Sequence, residues 1–153
     1  MSHPGTRNSI TAFFEAKAYG VVGVSGSRKK FGNIVYRTMK QKEFVVYPVH
    51  PALDVVEGDS CFRSVGALPA DATSVITVVP PEQTERVVEE CAAKGVHAVW
   101  MQPGSQSASA IARAQALGMT VIQGECILMF LEPVTSVHAL HRWIRKLTGS
   151  YPH

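Results

Sequence analysis

Cysteine is sparse in this sequence and follows no pattern. Cys61, Cys91 and Cys126 are odd in number and lack CxxC spacing, which points away from a disulfide framework and from a structural zinc site. Thiols kept reduced make the cytoplasm the expected compartment. Long apolar runs are missing as well. No stretch approaches the roughly 20 apolar residues of a membrane span, and the opening MSHPGTRNSITAFFEAK has no sustained apolar segment of the signal-peptide kind, so neither secretion nor membrane insertion is expected. Charge of one sign is scarce too: 15 Lys and Arg against 12 Asp and Glu leave a formal net charge of +3. The basic residues gather at Arg28, Lys29 and Lys30 and again at Arg142, Arg145 and Lys146. That suits an anionic small ligand better than nucleic acid, whose phosphate backbone calls for a broader basic stripe. His138 and His141 stand three apart without a recognisable third ligand, so no metal site is expected.

What is present is a well-filled interior: 46% of 153 residues are hydrophobic and 18% charged, enough for one domain and short for two. A short helix is expected over residues 9–17, with Ile10, Phe13 and Phe14 at helical spacing. The β-branched run YGVVGV at 19–24 stops abruptly at Ser25-Gly26-Ser27, as a buried parallel strand meets a turn. A crossover helix over 33–42, with Ile34, Val35 and Met39 on one face, leads to a second strand at 44–49 that Pro48 and Pro51 close. Residues 52–71 read as a loop-rich connection with at most a helical turn near 64–68. After it come a strand at 74–79, a helix at 82–94 with Val87, Val88 and Cys91 inward, a strand at 97–101, an alanine-rich helix at 105–117 and a strand at 119–122. Val137, Leu140, Trp143, Ile144 and Leu147 give an amphipathic helix over about 136–147, read as a docking element for the domain, a second subunit or a partner protein.

Alternating strands and helices predict an α/β fold: a Rossmann-like parallel five-stranded sheet, of expected order 3-2-1-4-5, with helices on both faces. In that order the crevice opens between strands one and four, and the loops at 25–33 and 102–105 border it. Gly23-Val24-Ser25-Gly26-Ser27-Arg28-Lys29-Lys30 lies between strand one and the first crossover helix, where small residues let backbone N–H groups approach a phosphate and the helix N-terminus attracts negative charge. It departs from G-x-G-x-x-G and from the Walker A loop. A domain for NAD normally carries an acidic residue at the end of strand two. Here that position reads Pro48-Val49-His50-Pro51, with no carboxylate before Asp54, which disfavours NAD and leaves a phosphorylated ribose compatible with His50.

Val21 to Ser25 (VVGVS), Lys30 to Asn33 (KFGN), Tyr47 to Pro51 (YPVHP) and Trp100 to Gly104 (WMQPG) together resemble the CoA-binding domain proteins, small Rossmann-type domains similar to the CoA-binding region of succinyl-CoA synthetase. The resemblance spans about 19–129. It implies coenzyme A or an acyl-CoA as ligand, with Ser25 to Lys30 cradling the pyrophosphate and Asn33 close by. It also implies that Pro48, Val49 and His50 sandwich the adenine with Val79 and Pro80, and that Gln102, Pro103 and Gly104 border the pantetheine. Cys126 follows the last strand and is counted with the ligand-facing residues, although a lone cysteine among apolar neighbours is more often an inert core residue. The resulting expectation is a binding module without evident catalytic machinery of its own. An NAD(P)-binding redox or sensor protein and a subunit of an acyl-CoA ligase are the alternatives. Lys30→Ala is expected to weaken CoA more than dephospho-CoA, or to reduce the salt dependence of binding.

Overall fold

The computed structural model describes residues 7–131. The chain runs α1 (Arg7–Phe13), β1 (Ala18–Val22), α2 (Phe31–Gln41) and β2 (Val46–Val49). A small hairpin of β3 (Val55–Val56) and β4 (Asp59–Ser60) follows, and then a 3-10 turn at Val65–Ala67. The second half is β5 (Ala72–Thr77), α3 (Pro81–Lys94), β6 (Ala98–Met101), α4 (Ala108–Ala116), β7 (Thr120–Gln123) and α5 (Leu128–Leu131). The amphipathic helix expected over 136–147, with His138 and His141, lies outside the described residues. Among the described residues no helix is long and apolar enough to cross a membrane.

β1, β2, β5, β6 and β7 form one parallel sheet, and side-chain alternation splits its apolar residues between two cores. Tyr19, Val21, Ile76, Trp100 and Ile122 face the layer made with α1, α2 and α5, where Phe13, Phe14, Val35 and Met39 lie. Ala18, Val22, Val75, Val99, Met101 and Val121 face the layer of α3 and α4, with Val87, Val88, Cys91 and Ala114. The fold is therefore Rossmann-like with helices on both faces, as expected. In α2 the inward side chains are Val35, Tyr36 and Met39, and Ile34 is only half-buried. α1 starts and ends earlier than its expected span. Its Phe13 is fully buried, 5.3 Å from the Trp100 ring and 5.4 Å from Tyr19.

The strand order is β2-β1-β5-β6-β7, which corrects the expected 3-2-1-4-5. The third strand of the sheet, β5, pairs with β1 and not with the outer edge of β2. Pro48 supplies the reason. Its carbonyl accepts from Phe62 N at 2.9 Å, and His50 N donates to Phe62 O at 2.9 Å, so the backbone of Pro48 faces outward from the sheet. A proline nitrogen there costs the β1 ladder nothing but leaves no donor for a further strand, which confines β2 to an edge. The connection from β2 to β5 covers that edge with the single bridge at Phe62.

Candidate functional site

With this order the chain reverses direction between β1 and β5, and ligands of open α/β sheets bind at the carboxyl ends of the strands at such a switch point. The crevice is therefore bordered by the loops after β1 and β5, and the loop at 102–105, after β6, is one strand further along.

The loop after β1 is built by close backbone approach. Gly23 has φ +123, and a Cβ on it would lie 2.4 Å from the Val78 carbonyl oxygen. A Cβ on Gly32 would lie 2.3 Å from the Gly23 oxygen. Gly23 thus lets the end of β1 lie against the end of β5, and Gly32 sets the start of α2 directly on the end of β1. Asn33, 1% exposed, then clamps the loop: its Oδ1 accepts from Ser25 N at 2.7 Å, and its Nδ2 donates to Ser25 O at 2.8 Å and to Glu57 Oε2 at 3.0 Å. Ser25 Oγ accepts from Ser27 N at 3.1 Å, and Lys30 N donates to Ser27 O. The N–H groups of Gly26, Arg28 and Lys29 donate to no protein acceptor among the described residues. Lys30 precedes α2 with extended backbone and no side-chain cap, so the positive end of an eleven-residue helix meets this loop uncovered.

Glu57 was not foreseen as part of the site. It sits in the β3–β4 turn at φ 54, with its side chain 6% exposed. Arg28 Nε donates to it at 3.0 Å and Arg37 Nη1 at 2.8 Å. Burial alone would raise its pKa. The hydrogen bonds from Asn33, Arg28 and Arg37 outweigh that and hold the carboxyl below its ordinary range. Beside it Asp59 accepts from Lys40 and Tyr36, both at 2.6 Å, and its pKa is also lowered, the Lys40 bond acting most strongly. Arg28 is thus committed to Glu57 on one side of the loop.

A cavity of about 370 Å³ opens where β1, β2 and β5 end. Gly23, Val24, Val49, His50, Val79 and Pro80 line it, which brings six of the expected residues together. His50 Nδ1 accepts from Ala52 N at 3.0 Å, so that ring nitrogen is already used in its own turn. Arg63, Gln83, Arg86 and Glu90 also line the cavity and were not foreseen: they come from the connection after β2 and from α3, which only the observed strand order places beside β1. The Val55-Val56-Glu57-Gly58 run carried a hairpin signal, Gly following a polar residue between β-branched and polar pairs. Arg86 carried none.

Gln102, Pro103, Gly104 and Cys126 form a separate group at the ends of β6 and β7 and do not line this cavity. Gln102 is 1% exposed. Its Oε1 accepts from Ile127 N at 2.7 Å, and its Nε2 donates to Cys126 Sγ at 3.4 Å, so its amide ties the segment after β7 to the end of β6. Behind it Ser105 Oγ lies 2.9 Å from Thr77 Oγ1 and 3.1 Å from Thr84 Oγ1, a buried hydroxyl group that fixes the β6 turn against α3. Pro103 and Gly104 are exposed.

Residues 17–132 match the family described as the CoA binding domain. Over 88 residues the chain is 33% identical to the alpha subunit of an ADP-forming acetate–CoA ligase II from Pyrococcus furiosus, a match covering 57% of this chain and 19% of that subunit. The chain thus spans about a fifth of that relative's length. Among solved structures, a conserved hypothetical protein from Pyrococcus furiosus superposes with a TM-score of 0.70 at 35% identity, covering 74% of this chain and 97% of that one. A hypothetical protein from Pyrococcus horikoshii gives 0.79 at 27%, covering 88% and 97%. By its matched span, its parallel sheet and its glycine-built loop after β1, this chain belongs to the CoA binding domain family.

Proposed function

We propose that the protein binds coenzyme A or an acyl-CoA, with the 5′-diphosphate on residues 23–30 and the nucleoside in the cavity between β1, β2 and β5, and that it holds the ligand without altering it. The observation that carries this reading is the convergence of three features at one switch point: unused loop N–H groups, an uncovered helix N-terminus and a cavity walled by Val49, His50, Val79 and Pro80. Charge-assisted hydrogen bonds to phosphate are worth about 1.5–3 kcal/mol each, so the loop supplies affinity without any nucleophile or general base. The cavity lies at the small end of the range for ligand pockets, about 300–1,000 Å³. It suits the nucleoside, with the pantetheine running along the rim toward Gln102, Pro103, Gly104 and Cys126. The end of β2 offers His50 where an NAD site places a carboxylate, and Asp54 is paired with Arg63. Free thiols at Cys61, Cys91 and Cys126 fit a reducing, cytoplasmic setting.

A second reading is favoured by the identity to a ligase alpha subunit: the chain presents CoA to a partner chain that supplies the rest of an acyl-CoA ligase. The deciding experiment is thermal unfolding with CoA, acetyl-CoA, dephospho-CoA, NAD and NADP. A ligand at about 100 times its Kd adds roughly 2.7 kcal/mol. Stabilisation by CoA above NAD and NADP is the expected result, stabilisation by NADP alone turns the reading to a redox or sensor role, and no shift with any of them overturns it.

A further inference from the structure

We infer that the cavity holds a second anion subsite, centred on Arg86, that reads a phosphomonoester on the ribose and separates CoA from its dephospho form; this rests on the reading of the crevice as a CoA site. Two arginines, Arg63 and Arg86, line one cavity together with the apolar Val22, Val49 and Val87. Arg86 projects from α3, is exposed, and makes no hydrogen bond or ion pair among the described residues. Among the described residues Arg63 is paired only with Asp54, whose side chain is 82% exposed, a solvent-screened pair that an anionic ligand displaces at little cost. The one carboxylate that lines the cavity among the described residues, Glu90, has Oε1 occupied by Val65 N at 3.1 Å and so anchors the 3-10 turn.

The positive charge of the crevice thus falls into two clusters. Lys29 and Lys30 stand at the start of α2, outside the cavity lining. Arg86, on α3, and Arg63, on the connection after β2, belong to that lining. Coenzyme A carries two anionic groups on one ribose, the 5′-diphosphate and the 3′-phosphate. A nucleoside lying in the cavity with its 5′-diphosphate on the loop leaves the 3′-phosphate for the guanidinium pair. The planar fork of arginine matches a phosphate bidentately, which a lysine point charge does not. The sequence alone assigns this discrimination to Lys30. The geometry moves it to Arg86 and leaves Lys30 with the diphosphate, which both ligands share.

The test is calorimetric titration of CoA and dephospho-CoA into the full chain as wild type, Arg86→Gln and Lys30→Gln. The wild type is expected to prefer CoA. Arg86→Gln is expected to lower CoA affinity about tenfold and dephospho-CoA by less than about twofold, the loss of one hydrogen-bonded charge, whereas Lys30→Gln lowers both by a similar factor. Arg86→Lys, which keeps the charge but not the fork, is expected to retain part of the preference. Arg86 is exposed and unpaired, so its variants should melt with the wild type. Equal weakening of both ligands by Arg86→Gln, no weakening of either, or a wild type that binds both alike overturns the subsite while leaving the CoA site standing. A wild type that binds neither overturns both.

Discussion

Glu57 shows how one residue couples the site to the fold. A non-glycine residue in the left-handed region costs about 1 kcal/mol, and Glu57 adopts φ 54 beside Gly58 at φ +80. That cost is offset by the bonds its carboxylate receives from Asn33, Arg28 and Arg37. Because these bonds hold its folded pKa below the unfolded value, the stabilisation is present above the ordinary carboxylate range and disappears as pH falls through the folded pKa. Glu57→Gln is therefore expected to be about 1–2 kcal/mol less stable than wild type near neutral pH, with the gap closing below about pH 4. Denaturant midpoints measured across that pH range check this; a constant gap would remove the carboxylate charge from the account. The sequence places Asn33 close to the loop after β1. It did not reveal that the Asn33 amide is spent on Ser25 and Glu57, because the partner lies 24 residues on and arrives only through the hairpin.

At the scale of elements, the contact that matters most is α2 standing on the end of β1. Both atoms that a Cβ on Gly32 would meet first, the Gly23 oxygen at 2.3 Å and the Gly23 carbon at 2.7 Å, are backbone, and neither swings aside as a side chain does. Gly32→Ala should push the helix start off the loop, costing about 1–3 kcal/mol as overpacking does and weakening CoA as the loop N–H groups lose their alignment. Gly26→Ala, with nothing within 4 Å of its Cβ, serves as the control and should keep the wild-type melting temperature. Loss of stability in the Gly26 variant and not in the Gly32 variant would reverse this picture. Element types were readable from hydrophobic periodicity, which reports how a segment is buried. Gly32 carries no sequence signal of its own, since Gly23 and Gly26 stand in the more recognisable part of the loop and the close approach depends on where the helix begins.

For the molecule as a whole, two cores share one sheet. Trp100 fills one face, edge-on to Phe13 and 5.6 Å from Phe130, with its Nε1 donating to Glu125 O at 2.9 Å, while its neighbours Val99 and Met101 belong to the other. Strands buried on both sides and paired on both edges should open last. Backbone amides of β1, β5 and β6 are expected to exchange most slowly and those of the β3–β4 hairpin far faster, as measured by hydrogen–deuterium exchange; uniform protection would contradict a two-core architecture. Alternation in the sequence tells which elements share the sheet but not which are neighbours, and the sign that does speak to neighbours, a proline, lies inside β2 and does not end it. That proline has a further consequence. A strand offered from another chain finds a missing donor and the Phe62 bridge on one flank of the sheet, so growth by edge pairing is directional, and among the described residues only the β7 flank can template it.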